Sequence, residues 1–539
     1  MSRLDAIDAL IIGAGHNGLV CAAYLAAKGV KVRILEKRDV VGGAAVTEEF
    51  HPGFRNSTAS YTVSLLQPKI ISDLKLAAHG LTIVERPFAN FLPLPGDHGY
   101  LKIGGGLAAT QGEIARHSRR DAEAYPRYVA RLDRIVDVLR DLAWMTPPNA
   151  GDGIHDMLQV WTTARCFKAL SMEARRDFVD LFTISAAEWL ERWFESSPVK
   201  AVLGFDSIVG NFASPYTQGT AYMLLHHLIG EVNGNRGSWG HAIGGMGAIT
   251  EAMAAEARLR GVQIDTGMSV ERVLIDDAGR AAGVVLDNGD EIRAKAVIAN
   301  VNPRLLLTRM IDADSQQRFD LGRFAHYQCE SATLRMNVAL SELPDFSALP
   351  GRVAAPHHGS GIIIAPSLDY MDSATTDARA HGWSAQPVVE MLVPSTLDST
   401  LAPAGAHVAS LFCQHFRYAL PNGRHWDNAG ERDQAADAAI AAVARFAPNF
   451  RDSIIARQIH TPLDLERKFG LTGGDIFHGR LTLNQLFSAR PSLGHAKYRM
   501  PVPRLYLCGS GAHPGGGVSG IPGHNAAREI WRDRRQWLS

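Results

Sequence analysis

Cysteine is scarce in this chain of 539 residues, and its few copies lie far apart. No Cys-x-x-Cys pair is present, and no His/Cys cluster has the spacing of a zinc site. This pattern argues against a dithiol active site of the disulfide-reductase kind and predicts buried thiols in a reducing compartment. The five cysteines are Cys21, Cys166, Cys329, Cys413 and Cys508.

An excess of charge of either sign is also absent, since 55 Lys and Arg residues balance 55 Asp and Glu residues. Without a basic field, nucleic-acid binding is not expected. No uninterrupted apolar run reaches the roughly 18 residues of a membrane-spanning helix. A strand begins within about ten residues of the start, which leaves no room for a signal or transit peptide. We therefore predict a cytoplasmic protein and leave its oligomeric state and peripheral contact with a membrane open.

The strongest positive signal is a strand–turn–helix–strand unit at the start of the chain. The apolar run 9–12 predicts a buried strand, and a Gly-x-Gly-x-x-Gly turn follows it. In such a unit Gly13 permits the tight turn, Gly15 lets a pyrophosphate approach the backbone, and Gly18 lets the helix pack against the strand. The next strand ends at Glu36, 21 positions after Gly15, where a carboxylate can accept hydrogen bonds from a ribose. The unit predicts a dinucleotide bound at a helix N-terminus.

The pattern continues beyond the acid as Glu-x5-Gly-Gly-x3-Thr. This extension resembles that of FAD enzymes related to amine oxidases and carotenoid desaturases. The resemblance implies that Gly42, Gly43 and Ala44 bring the chain close to the flavin side of the cofactor. It also implies that a basic residue before them contacts phosphate, with Arg38 as the first choice and Lys37 as the second. FAD is therefore favoured over NAD.

A second glycine-rich stretch lies near the other end of the chain. It follows a strand that closes on Gly509 and precedes a helix predicted at about 524–531. By resemblance it is the second flavin motif, in which Gly509 and Ser510 meet the ribitol and phosphate. Gly517 and Val518 then lead to a helix N-terminus that points at the flavin ring. Ser510 stands where many FAD enzymes have an acid, so it offers a hydroxyl without a charge.

A third piece, between these motifs, is predicted to join the same domain. Its predicted elements are a helix at 248–260, strands at 262–266 and 269–275, and a hairpin of strands at 281–286 and 291–298 joined by Asn288-Gly289. By resemblance, Val270 places its backbone against the adenine. The glycines of Gly244–Gly247 lack a preceding apolar strand, so a separate NAD(P) site is not favoured.

The whole chain resembles phytoene desaturase-like flavoproteins, through the motifs above and through the stretches 61–66 and 121–125. The resemblance implies an α/β fold in which a Rossmann-type (GR2-like) FAD-binding domain is interleaved with an α+β substrate-binding domain. A chain of this length accommodates two domains. The FAD-binding domain is predicted at 1–75, 235–305 and 495–539, and the substrate domain at 76–234 and 306–494.

The resemblance implies a desaturase or dehydrogenase that removes two hydrogens from an apolar substrate, such as a polyene, an isoprenoid or a lipid. Hydride would pass to flavin N5, and dioxygen or a quinone would re-oxidise the flavin. An FAD amine or alcohol oxidase is the first alternative, although no motif identifies the lysine that amine oxidases place near flavin N5. A redox-neutral flavin isomerase or a flavin-bearing partner-binding protein is the second.

Two histidines are candidates for proton transfer. His513 lies within the second flavin motif, and His524 lies at the start of the helix after it. The stretch Gly204–Gly240 is rich in Gly, Asn, Pro and aromatic residues and could line a pocket. Within it, His227 and Glu231 have the i,i+4 spacing of a metal-binding pair, but no third ligand is indicated and no metal is expected.

Overall fold

The computed structural model describes residues 7–96, 99–149 and 153–538. Its strands are β1 (Ala9–Ile12), β2 (Val32–Leu35), β3 (Thr47–His51), β4 (Phe54–Ser57), β5 (Ile83–Glu85), β6 (Asn90–Pro93), β7 (Tyr100–Ile103), β8 (Glu231–Val232), β9 (Asn235–Arg236), β10 (Gly240–Ala242), β11 (Gln263–Asp265), β12 (Val270–Ile275), β13 (Ala281–Leu286), β14 (Glu291–Arg293), β15 (Ala296–Ala299), β16 (Thr333–Leu340), β17 (Gly361–Ile364), β18 (Trp383–Leu392), β19 (His407–Phe416), β20 (Ile454–His460) and β21 (Leu505–Leu507).

The α-helices of the same residues cover the sheets and fill the space between them. They are α1 (His16–Ala26), α2 (Pro68–Asp73), α3 (Leu107–Ala115), α4 (Arg119–Trp144), α5 (Ile154–Lys168), α6 (Met172–Thr183), α7 (Ala186–Glu191), α8 (Ser197–Gly204), α9 (Ala221–Leu228), α10 (Met246–Leu259), α11 (Pro303–Arg309), α12 (Ala313–Arg318), α13 (Leu368–His381), α14 (Ala429–Ala444), α15 (Pro462–Phe469) and α16 (Ile521–Arg532).

A five-stranded parallel sheet holds together the first part of the fold, in the spatial order β11, β2, β1, β15, β21. Three stretches that are far apart in the sequence supply these strands. β1 and β15 are wholly buried apolar runs, because α1, α10 and α16 pack with the sheet into one core. The predicted α/β class is confirmed, while the exact domain boundaries stay predictions.

The prediction of a single strand across residues 291–298 is wrong. The hairpin around Asn288-Gly289 is present, with β13 antiparallel to β14. The chain then leaves that hairpin, and β15 enters the parallel sheet beside β1. The difference follows from burial, since the Glu-Ile-Arg of β14 is largely exposed and the Ala-Val-Ile-Ala of β15 is fully buried. α16 also begins three residues before its predicted start, because Pro522 is tolerated in a first helical turn.

A seven-stranded sheet organises the second part of the fold, in the order β20, β16, β19, β18, β17, β6, β7. Its neighbouring strands are antiparallel except for the parallel pair β17 and β6. α13 and α14 pack on β18, and α3, α4 and the helices from α6 to α9 contribute to a separate apolar cluster beside the sheet. Across the described ranges, no helix has both the length and the apolar character needed to span a bilayer.

The close packing of α1 against β1 gives a first test of this fold. A Cβ on residue 18 would lie 2.4 Å from the backbone oxygen of Gly13 and 2.9 Å from Asn300 Nδ2. We expect Gly18→Ala to lower the free energy of unfolding by about 1–3 kcal/mol, because the backbone must move to relieve the contact. The measurement is urea unfolding of the purified protein.

The matched control is Gly112→Ala in α3, where an added Cβ meets open space. That change is expected to leave the protein unchanged or to stabilise it by about 0.5–1 kcal/mol, because alanine favours a helix interior. Equal unfolding curves for the two variants would contradict the predicted contact.

Candidate FAD site and adjoining cavity

A cavity of about 390 Å³ runs along the carboxyl ends of β1, β2 and β15. It is lined by twelve of the fourteen residues predicted to bind the cofactor, namely Gly13, Gly15, Glu36, Lys37, Arg38, Gly42, Gly43, Ala44, Val270, Ser510, Gly517 and Val518. The other two, Gly18 and Gly509, lie behind the wall, where an added Cβ would touch Asn300. The structure thus brings the three predicted pieces together around one space, and the binding role of each residue stays a prediction.

The N-terminus of α1 opens on this cavity with its backbone N–H groups free. Gly15 is the N-cap, no side chain caps the helix, and the first turn carries no acid. A Cβ on Gly15 would lie 2.9 Å from Asn300 Nδ2, and one on Gly43 would lie 3.3 Å from the Cα of Gly15. Only glycine therefore fits this cradle, and the uncapped helix offers N–H donors and a partial positive charge to a pyrophosphate.

The Glu36 carboxylate is fixed at the end of β2 by two backbone donors. Its Oε2 accepts a hydrogen bond from Ala14 N at 2.7 Å, and its Oε1 accepts one from Arg38 N at 3.0 Å. The side chain is buried, yet each oxygen keeps a lone pair for a ribose hydroxyl. This geometry fits the ribose-binding role that the spacing predicts.

The side chains of Arg38 and Lys37 contact different groups. The Arg38 guanidinium pairs with Glu48 at 2.5 Å and lies 5.0 Å from the ring centroid of Phe469, while Lys37 Nζ donates to the Arg467 carbonyl at 3.3 Å. Burial raises the pKa of Glu48, but hydrogen bonds from Lys468 and Thr58 and the charge of Arg38 outweigh it, so the net pKa is lowered. Arg38 is held against the glycine pair by this ionised carboxylate, which supports it as the first choice for phosphate contact.

The second glycine motif is tied to the first by a side-chain hydrogen bond. Asn17 Nδ2 at the start of α1 donates to Ser510 Oγ at 3.1 Å. Asn17 Oδ1 is buried without a partner, as is Nε2 of His16 on the same turn. His16, Asn17 and Ser510 all line the cavity, so these polar atoms are available to a bound molecule. The glycine cradle, the free helix N-terminus, the fixed acid and these unpaired groups together fit FAD.

The two histidines predicted for proton transfer both contact the C-terminal end of α4. His513 is buried, its Nε2 contacts the Leu142 carbonyl at 2.9 Å, and burial lowers its pKa to about 4. His524 lies between the rings of Tyr24 and Trp144, at 4.8 and 5.0 Å, and borders neither of the cavities described here. Their predicted catalytic role is untested.

Four other histidines, namely His16, His226, His227 and His478, line the cavity, and none of them is predicted from the sequence to act in catalysis. His16, His226 and His478 each have a buried ring nitrogen without a hydrogen-bond partner. Burial lowers their pKa values to about 4, 3 and 4. His16 lies in the first glycine motif and His226 lies beside His227 in the stretch 204–240, whereas His478 comes from a stretch without a motif. In the described chain, no three His, Cys, Asp or Glu side chains converge as a metal site.

The end of the cavity away from Glu36 is mainly aromatic. Tyr61, Trp239, Phe412 and Phe477 line it, together with residues from the stretch 204–240. The Tyr61 ring stacks on Phe412 with centroids 5.4 Å apart, and its hydroxyl donates to the buried Glu390. Burial and the charge of Glu390 hold the Tyr61 pKa well above its ordinary value, so the phenol stays neutral. This end presents ring faces and neutral groups.

A second cavity of about 400 Å³ adjoins the first, and Leu65 and His226 line both. Its wall comes from α4, α5, α6 and α9 and from residues 483–487 and 513–521. Val179 and Leu483 line it and are 58% and 56% exposed, so the cavity reaches the surface between them. The two cavities therefore share part of their walls.

Comparison with known proteins shows that this chain is similar to flavoproteins. The family model described as flavin containing amine oxidoreductase matches residues 18–321. The mouse pyridine nucleotide-disulfide oxidoreductase domain-containing protein 2 is 40% identical over 98% of this chain and 93% of its own. One of the chains of the limonene dehydrogenase of Castellaniella defragrans is 25% identical over 99% of this chain and 96% of its own. The solved cyclohexylamine oxidase of Brevibacterium oxydans shares the fold, with a TM-score of 0.55 at 15% identity over 98% of this chain and 100% of that one.

Fold and site together define an FAD-dependent oxidoreductase. The chain belongs to the flavin containing amine oxidoreductase family, and the predicted cofactor, FAD, and the phytoene desaturase-like resemblance are confirmed. The mouse relative aligns with this chain over nearly its whole length. Although the name of that relative mentions disulfides, all five cysteines of this chain are free.

The fixed carboxylate of Glu36 gives a test of the cofactor site. In Glu36→Gln an amide NH2 group replaces one carboxylate oxygen, so one of the two backbone N–H groups loses its acceptor. The negative charge that faces the ribose is also lost. We expect FAD to bind roughly 10- to 100-fold more weakly, from the usual strength of hydrogen bonds to charged groups. Titration of apoprotein with FAD, followed by flavin fluorescence, measures this. The control is Glu49→Gln, whose exposed carboxylate accepts from Gly53 N at 3.3 Å. Unchanged FAD affinity in the Glu36 variant would remove this residue from the site.

The buried His226 makes the stability of the protein depend on pH. Burial, with the nearby His227 and Arg490, lowers its folded pKa from 6.5 to about 3. The unfolded chain therefore takes up this proton first, so the stability contributed by neutral His226 is complete above pH 6.5 and declines as the pH falls toward 3. The decline is about 1.4 kcal/mol per pH unit for one group.

We expect His226→Gln, which cannot titrate, to lose less stability than the wild type between pH 6.5 and 4.5. Urea unfolding at several pH values measures the difference. His425→Gln changes an exposed histidine and is expected to follow the wild-type profile. Parallel profiles for wild type and the His226 variant would show that His226 is already protonated or solvated in the folded protein.

Proposed function

We propose that this FAD-dependent oxidoreductase is a dehydrogenase or desaturase of an apolar substrate. The observation that carries the proposal is the second cavity. No Asp, Glu, Lys or Arg is among its lining residues in the described chain, and the aromatic rings of Phe167, Phe178, Phe182 and Phe487 form much of its wall. Such a wall stabilises an apolar molecule by removing it from water. A substrate of this kind partitions into lipid, so the proposal includes peripheral contact with a membrane.

The bound FAD supplies a hydride acceptor at flavin N5. The protein contributes the path and the surroundings of the reacting bond. Tyr61, Trp239 and Phe412 exclude water from the aromatic end of the first cavity, and His226 stands at the junction with its Nε2 unpaired. Being neutral at pH 7, His226 can accept a proton or a hydrogen bond from the substrate. We place it ahead of His513, because His226 lines both cavities and His513 lines only the second.

We further propose dioxygen or a quinone as the electron acceptor. The glycines at 244–247 are the part of the sequence that most resembles a second nucleotide loop. Added Cβ atoms at Gly245 and Gly247 would lie 2.4 and 2.7 Å from atoms of Thr47. These glycines are therefore required by contact with β3, which accounts for them without an NAD(P) site.

An amine oxidase is the second candidate, because a cyclohexylamine oxidase shares this fold. Lys37 is the one lysine among the described residues that line the first cavity. It follows Glu36 and donates to the Arg467 carbonyl, so it belongs to the cofactor end of the cavity. No lysine lines the aromatic end in the described chain, which favours the apolar substrate. An isomerase or a partner-binding role remains the third candidate.

The test is anaerobic reduction of the purified holoenzyme. We expect the visible flavin absorbance to bleach on addition of a monoterpene hydrocarbon or a polyene and to persist with cyclohexylamine. Bleaching by the amine, with hydrogen peroxide released in air, would transfer the assignment to the amine oxidases. Flavin that stays oxidised with every substrate class would favour the redox-neutral role.

A variant links the reaction to the second cavity. Leu139→Trp places a larger ring in the cavity wall, so reduction by an apolar substrate is expected to slow roughly tenfold or more through misplacement of the substrate. Leu107→Trp, at the exposed start of α3, is the matched control. The flavin spectrum of both variants reports whether the cofactor site is intact.

A further inference from the structure

Two consecutive helices, α5 and α6, carry many of the exposed apolar side chains of this protein. Of the fourteen large apolar residues that are exposed in the described chain, six lie on α5 and α6. They are Met157, Leu158, Val160, Trp161, Met172 and Val179. Met157 and Trp161 are 73% and 60% exposed, which is unusual for side chains of this size on a protein surface. We call these six residues the apolar face.

The part of α5 that carries the apolar face has only positive charges. From Met157 to Lys168 the sequence contains Arg165 and Lys168 but no acid. The Arg165 guanidinium lies 4.7 Å from the centroid of the Trp161 ring, so the cation and the aromatic ring occupy the same surface. Basic groups beside exposed Trp, Leu and Met are the pattern of a helix that lies at a lipid interface. The acids of α6 all pair with arginines outside that helix, and they are Glu173, Asp177 and Asp180.

The apolar face also borders the mouth of the second cavity. Val179 belongs to both, and Phe167 of α5 and Phe178 of α6 line the cavity just inside. An apolar molecule could therefore pass from a surface covering α5 and α6 into the cavity without crossing water.

We propose that the apolar face docks on the surface of an anionic lipid bilayer and that the second cavity opens toward that bilayer. The passage of an apolar substrate through this opening rests on the proposed function, whereas the docking itself does not. A second copy of the chain fits less well, because Arg165 and Lys168, which form no ion pair with an acid in the described ranges, would face their own equivalents across an isologous interface. Anionic headgroups instead attract these cations, and the acyl region takes up the apolar side chains.

The experiment is flotation of the holoenzyme with lipid vesicles. We expect the wild type to float with vesicles of phosphatidylcholine and phosphatidylglycerol, more weakly with phosphatidylcholine alone, and less as salt is added. Trp161→Glu and Met157→Glu are expected to reduce the bound fraction roughly tenfold. Val353→Glu, at an equally apolar and 82% exposed position away from α5 and α6, is expected to bind like the wild type. Retained flavin absorbance shows that each variant is folded.

Three results would overturn the docking: no flotation of the wild type, equal losses in the Trp161 and Val353 variants, or a dimer in sedimentation that Trp161→Glu dissociates. Because no substrate is present, this test is independent of the reaction. Flotation without flavin bleaching by any apolar substrate would leave the docking in place and remove the proposed function. Flavin bleaching without flotation would remove the docking and leave the proposed function in place.

Discussion

The buried guanidinium of Arg490 donates hydrogen bonds to five backbone carbonyl oxygens from two separate parts of the chain. Four belong to residues 477–485, and the fifth, that of Ser510, is contacted by both Nε and Nη2 at 3.2 and 2.7 Å. A charge this deeply buried persists only when its donors are satisfied, and the planar fork of arginine can satisfy several carbonyls at once. The segment 477–490 is therefore locked to the second flavin motif.

Both cavities depend on that lock. Phe477 and His478 line the first cavity, and Leu483, Leu486 and Phe487 line the second. Because Arg490 ties this segment to Ser510, these cavity walls and the cofactor loop keep a fixed relation to each other. The same charge contributes, after burial, to the lowered pKa values of His226 and His478. One arginine thus positions the walls and helps to keep the imidazoles beside them neutral.

The glycine motifs can be predicted from the sequence because their fixed spacing reflects positions where a side chain would not fit. Asn300, at the end of β15, shows what enforces them, since its side chain would contact a Cβ on Gly15, Gly18 or Gly509. The glycines of both motifs are thus required by contact with this side chain as well as by the cofactor. A spacing rule detects such glycines, whereas Asn300 itself carries no motif and was missed.

Other parts of the site could not be predicted because they depend on long-range packing. Composition alone does not separate β14 from β15. The difference between them becomes clear only when β15 is known to be buried in the parallel sheet. Arg490 and His478 lie in a stretch without a motif, and their roles arise from contact with residues that are distant along the chain. The sequence indicates His513 and His524 only through their proximity to the flavin motif, and on α16 the direction of the His524 side chain depends on its position around the helix. His524 accordingly faces Tyr24 and Trp144.

The distribution of charge along the two cavities separates a cofactor end from a substrate end. The charged lining residues belong to the turn after β2, to β12 and to the end of α11, and they are Glu36, Lys37, Arg38, Glu271 and Arg309. The second cavity has a wall of aromatic and aliphatic side chains, and in the first cavity Tyr61 turns its hydroxyl to Glu390 and its ring to Phe412. Phosphates and ribose need the charged end, because their own charge and hydroxyls must be compensated on leaving water. A hydrocarbon needs no such compensation. The neutral imidazole of His226 lies where the two cavities meet. This arrangement therefore suits a substrate that has few polar groups and places its reactive bond at the flavin.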